Sequence, residues 1–286
     1  MEIFRSLGAL VEPPEPGHQA LADALGLGPL PTPAAHAETF LFRLYPYASV
    51  YLGPEGQMGG DARDRVAGFW RVLGQTPPAE PDHLTVLLAA YAELCERSAD
   101  EADPGPWTRA RRVFLWEHLV SWLPLFLDKL VRDGRGEPFY VRWAELLRDA
   151  LAEELDAAGL RPDPIFEAPP ACLAVDPGLP DPRLDGADAL LGGLTAPARC
   201  GFVLTSDDLR HMAFALGLAP RAGERRFVLK GLFGHDAAGV LSRLRELAAE
   251  TRLSQTWGPV AEIWHHRRDT SSSLLEALQA DAEAGT

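Results

Sequence analysis

Cysteine is scarce in this chain. Its 286 residues hold three, Cys95, Cys172 and Cys200, with no CxxC pair and an odd total. That excludes a disulfide framework and a zinc site built from thiolates, and it points to a reducing compartment. Positive charge is also in short supply: 27 Lys and Arg stand against 41 Asp and Glu, for a formal charge of −14. Phosphate backbones and anionic lipids repel such a chain, so nucleic acid is not an expected partner and basic segments are. Long apolar runs are missing too. The longest stretch without Asp, Glu, Lys or Arg is 24–37, 14 residues interrupted by three prolines, which cannot span a bilayer. The N-terminus, MEIFRSLGAL, lacks the basic-then-apolar layout of a secretory signal, and a cytoplasmic location is expected.

Catalytic signatures are absent as well. There is no GxxxxGK[ST] loop, no GxSxG, no HExxH and no GxGxxG after a strand; Gly26-Leu27-Gly28 runs into Pro29 and reads as a turn. His265-His266 has no second cluster of metal-ligating residues near it in sequence. No catalytic residue, cofactor or metal site is therefore expected, and the protein reads as a binder rather than an enzyme. The basic group Arg221, Arg225, Arg226 and Lys230 suits a solvated or partner-docking face better than nucleic acid, given the acidic whole.

What is present is a globular composition, 47% hydrophobic and 24% charged. Residues 1–39, rich in Pro, Ala and Gly, read as a loosely packed lead-in. Helical periodicity begins at Phe40 and continues in helices over 61–73, 82–96, 107–131 and 138–158, the last stopping at Gly159. In the second of these, Leu84, Leu87, Leu88, Tyr91, Leu94 and Cys95 form a wide core-facing stripe. The fold class is all-α, with a single helical domain over 40–160. Seven prolines within 162–182 mark a Pro-rich linker or arm, assigned to 161–195. A small, mainly helical extension over 196–286 follows. It has one short strand near Cys200–Leu204, helices over 225–233 and 236–250, and a short capped helix from Asp269. Since prolines cannot continue a shared helix or sheet, this extension should be removable without unfolding the helical domain.

Three segments stand out. Glu80-Pro81-Asp82-His83 precedes a strongly amphipathic helix, with Asp82 placed to cap it. Residues 114–126 (FLWEHLVSWLPLF) are apolar on two sides, with Trp116, Val120 and Leu123 on one and Phe114, His118 and Trp122 on the other. A helix of that kind is either fully buried or lines a groove for an apolar ligand. Tyr45, Tyr47 and Tyr51 cluster without a catalytic partner.

Together, in the order YPYxSVYL with Met58 following, then EPDH, then FLxxHLxxWxPxF, then Pro138-Phe139-Tyr140, these segments resemble the TorD/DmsD family over about residues 40–158. Ala48 departs from the pattern, where an acidic residue is more usual. The resemblance implies an all-helical chaperone of molybdenum-cofactor oxidoreductases, without catalysis. Such a chaperone binds the twin-arginine leader and the immature catalytic subunit (dimethyl sulfoxide, trimethylamine oxide, nitrate reductase or formate dehydrogenase type), assists cofactor insertion and delays export. It would be a monomer or homodimer with no stable membrane insertion. Tyr47, Tyr51, Glu80, Pro81, Asp82, His83, His118 and Trp122 are the implied peptide- and client-binding residues. The competing reading is a regulatory or adaptor protein acting through the C-terminal module.

Overall fold

The computed structural model describes residues 2–100, 105–134, 137–157 and 168–284. The Gly159 cap and the apolar pair Ile165 and Phe166 of the Pro-rich segment lie outside them. The described residues are all-α and contain no strand. Their one β-type contact is an isolated antiparallel bridge between Tyr47 and His83.

Among the described residues, nine helices build the first half: α1 (Glu2–Ala9), α2 (His18–Ala24), α3 (Pro33–His36), α4 (Ala48–Leu52), α5 (Gly60–Val72), α6 (Leu84–Asp100), α7 (Gly105–Phe114), α8 (Leu123–Asp133) and α9 (Pro138–Ala157). Wider-wound π segments extend α3 through Ala37–Arg43 and α7 through Leu115–Val120. Helix α6 is central because its stripe faces inward: Leu84, Leu87, Leu88, Tyr91, Leu94 and Cys95 are all buried, each such apolar side chain contributing about 1.5–3 kcal/mol. The single helix read over 107–131 is broken. Pro124 has no N–H to offer Val120, and the chain turns at Ser121-Trp122 before α8 begins.

The N-terminal residues are better packed than a loose lead-in. Phe4, Leu7, Leu10 and Val11 are buried, Trp143 Nε1 donates to Leu7 O (3.0 Å) and Thr85 Oγ1 to Gly8 O (2.9 Å). Composition concealed this, because the apolar face of α1 is only two turns long.

The second half holds α10 (Pro182–Asp185), α11 (Ala187–Leu194), α12 (Pro197–Cys200), α13 (Ser206–Ala215), α14 (Arg225–Phe233), α15 (Ala237–Glu250) and α16 (Pro259–Ala284). A second core forms around Leu191, Phe202, Leu229, Leu244 and Leu275. Three expectations need correction here. Part of the segment assigned to a linker, residues 187–194, is a helix with Leu190, Leu191 and Leu194 buried. Phe202, Val203 and Leu204 are buried without forming a strand. The tail is one helix of 26 residues rather than a short one.

That helix ties the halves together. Its start puts Val260, Ala261 and Trp264 into the first core, and its end puts Leu275 and Leu278 into the second. Trp264 Nε1 donates to Ser121 O (3.0 Å), and Arg267 Nη2 donates to Leu173 O (3.0 Å) and Val175 O (2.7 Å). The extension is thus not a separable module: the first core draws side chains from both ends of the sequence. Ion pairs reinforce the seam, with Lys129 Nζ 2.7 Å from Asp208 and Arg43 3.3 Å from Asp207. Gly56 sits at a close backbone approach between the halves. Its φ is +62°, and a Cβ there would fall 2.4 Å from Thr195 O.

Candidate functional site

Two segments 33 residues apart meet at the Tyr47–His83 bridge. Ala48 N donates to Asp82 O (3.0 Å) and Leu84 N donates to Pro46 O (2.8 Å), so the start of α4 and the start of α6 are clamped side by side. Asp82 does not cap α6. Its Oδ2 accepts from Ser49 N (3.1 Å), satisfying an orphan donor in the first turn of α4, and Asp82 is only 2% exposed. Ser49 in turn accepts from Gly59 N through its hydroxyl (3.1 Å), fixing the loop before α5. The carboxylate therefore organises a helix distant in sequence, a role its local surroundings could not reveal.

The outer face of the clamp is polar. Tyr47 OH donates to Glu80 Oε2 (2.9 Å), and the Tyr47 ring meets the His83 ring edge-on at 4.8 Å. Partial burial, then the bond to Glu80, pushes the Tyr47 hydroxyl up to about 12. Burial lowers the His83 pKa against the opposing pull of Glu12, whose carboxylate lies 3.8 Å from Nδ1. Sequence reasoning missed Glu12, since nothing local links it to residue 83.

Beneath this face lies an aromatic layer. Tyr51 stacks on Trp122 at 5.1 Å, and Trp122 Nε1 donates to His118 O (2.9 Å) within the π segment. The His118 ring packs against Phe69 (5.3 Å) and Phe114 (5.2 Å). Burial, with Arg65 adding to it, holds His118 down at about 4, so the ring is neutral at pH 7. Of the eight residues singled out in sequence, Tyr47, Glu80 and His83 reach the surface, while Tyr51, Pro81, Asp82, His118 and Trp122 are buried behind them. Of the two options for residues 114–126, burial holds.

The remaining sequence features resolve structurally. His265 Nε2 accepts from Leu253 N (3.0 Å), and no group of metal-ligating side chains occurs among the described residues. Arg225 donates to Leu204 O, Arg226 to Asp188 O, and Lys230 pairs with Asp188, so much of the basic group is used inside the chain. No described helix is long and apolar enough to cross a membrane.

A buried clamp between α4 and α6, backed by an aromatic layer from a π segment, is the feature the sequence motifs had marked. Residues 19–128 match the family model described as nitrate reductase delta subunit. Over those residues the chain is similar to that family, which is one of molybdoenzyme maturation chaperones. The matched region takes in α2 to the middle of α8, and with them the whole clamp. No curated protein and no solved structure matches the chain.

Proposed function

We propose that this chain is a non-catalytic cytoplasmic chaperone for the catalytic subunit of a molybdenum-cofactor oxidoreductase. It binds the subunit's twin-arginine leader and its immature body, assists cofactor insertion and delays export. The observation that carries this reading is the family match over 19–128, which encloses both motif segments. In this reading Tyr47, Glu80 and His83 contact the client, and Tyr51, Pro81, Asp82, His118 and Trp122 hold them in place. The acidic balance of the chain, −14, favours a leader carrying adjacent arginines.

Calorimetry tests it. A synthetic leader with Arg-Arg should bind near the micromolar range, about −8 kcal/mol, and a Lys-Lys version much more weakly, because lysine lacks the bidentate fork of arginine. Equal affinity for the two peptides removes the electrostatic part of the reading. Absence of binding to either overturns the leader role.

A further inference from the structure

Residues 168–180, the described part of the Pro-rich arm ahead of α10, lie on the body as a bound peptide lies on its receptor. Apart from a 3₁₀ turn at Ala171–Leu173 they form no helix and no strand. Pro170 and Leu173 are buried, while Ala168, Pro169, Ala171, Ala174, Val175 and Asp176 are exposed. The two buried side chains are three residues apart, the period that keeps side chains on one face of a 3₁₀ or polyproline turn.

Side chains of the body hold the main chain of this arm. Trp116 Nε1 donates to Ala168 O (3.2 Å), and Arg267 Nη2 to Leu173 O (3.0 Å) and Val175 O (2.7 Å). Arg199 Nη1 donates to Pro177 O and Gly178 O (3.2 Å each), and Glu117 accepts from Ala171 N (2.9 Å). Among the described residues no backbone–backbone hydrogen bond joins arm and body. The four side chains come from the π segment after α7, from α12 and from α16, so only the folded chain assembles the trough. Its chemistry selects an occupant. The trough offers donors to carbonyls at five positions and an acceptor to one N–H, which suits a chain whose Pro169, Pro170 and Pro177 have no N–H to satisfy. A helix has spent its interior carbonyls on itself, and a strand would leave N–H groups unmet here. Arg267 is 2% exposed beneath the arm, is backed by the Trp264 ring at 5.2 Å and has Asp176 at 3.6 Å, so an acidic residue after the prolines fits as well.

We propose that this trough is a docking site for a proline-rich segment of a partner polypeptide, and that residues 168–178 are its resident, displaceable occupant. Side-chain tips and two anchors hold the arm, and an incoming segment of the same composition replaces those bonds one for one. The C-terminal extension then has a definite role, because Arg199 and Arg267 come from it and the trough is incomplete without them. None of Tyr47, Glu80 and His83 takes part, so the proposal stands or falls apart from leader binding.

The test uses the full chain with residues 168–178 replaced by Gly-Ser sequence of equal length. Its probe is a fluorescein-labelled peptide of residues 168–180 carrying Cys172→Ser. The replaced chain should melt cooperatively and bind the peptide. The unaltered chain should bind it at least about tenfold more weakly, because its tethered arm competes at high effective concentration. Glu117→Ala in the replaced chain should weaken binding about tenfold, since it removes a charged acceptor. A peptide with its prolines changed to alanine should also bind more weakly, and equal binding overturns the choice of a proline-rich occupant. Where excess peptide occupies the unaltered chain, alkylation of Cys172 should speed up while Cys95 and Cys200 stay protected; unchanged Cys172 alkylation there means that the arm is not displaced. No peptide binding to the replaced chain, or binding that Glu117→Ala leaves unaltered, overturns the proposal. So does loss of the cooperative melt in the replaced chain, which would make the arm part of the core.

Discussion

Replacing Asp82 separates a structural role from a contact role. Its Oδ2 accepts from Ser49 N at 3.1 Å in a site 2% exposed, so Asp82→Ala leaves a buried N–H without a partner. Such a loss costs about 1–3 kcal/mol. Removing a negative charge from a helix N-terminus adds about 0.3–1 kcal/mol, at the low end here because α4 has only five residues. Together these destabilise the fold by roughly 1.3–3.3 kcal/mol. Asp82→Asn keeps an acceptor oxygen and loses mainly the charge, a cost of about 1 kcal/mol or less. Urea denaturation at pH 7, followed by circular dichroism, measures both. Leader affinity measured on the folded fraction should change little in either variant, since the carboxylate lies behind the Tyr47–Glu80 face. Two results would refute the reasoning. An Asp82→Ala variant as stable as the parent would mean that the bond to Ser49 holds nothing in place. A variant of full stability that loses leader binding more than tenfold would make Asp82 a direct contact.

Two further outcomes follow from buried groups. His118, held at about 4 against an unfolded value of about 6.5, stays neutral in the fold while the unfolded chain takes up a proton. Its contribution is therefore complete above pH 6.5 and is lost as pH falls towards 4, by roughly 3 kcal/mol in all. Urea titrations of parent and His118→Phe between pH 4 and 8 isolate this slope from Asp128, which burial pushes up to about 6 with the opposite sign; parallel curves would mean the ring does not titrate as described. A chain ending at Ala157 loses Trp257, Val260, Ala261 and Trp264 from the first core, and truncating each tryptophan alone costs about 3–5 kcal/mol. It should aggregate or melt without cooperativity, and a sharp calorimetric melt with intact leader binding would restore the two-module division.

The sequence by itself determined the all-helical class, the inward stripe of α6 and the significance of the EPDH and FLxxHLxxWxPxF segments. Those are local properties: a period of 3.6 residues decides which face of Leu84–Asp100 is buried whatever packs against it. Absent catalytic motifs were legible for the same reason, since such motifs are written in consecutive residues. Only the tertiary structure decided what the marked residues touch. Asp82 looked like the cap of the helix that follows it, yet its acceptor serves Ser49, because pairing across the Tyr47–His83 bridge outcompetes the local option. For His118 and Trp122 the sequence left a groove open beside burial; in the fold they turn inward onto Phe69 and Tyr51. Trp264 carries no sequence sign of belonging to a core begun more than 250 residues earlier at Phe4. Burial couples residues by proximity in space, and no periodicity along one helix records which distant helix will fill the other side.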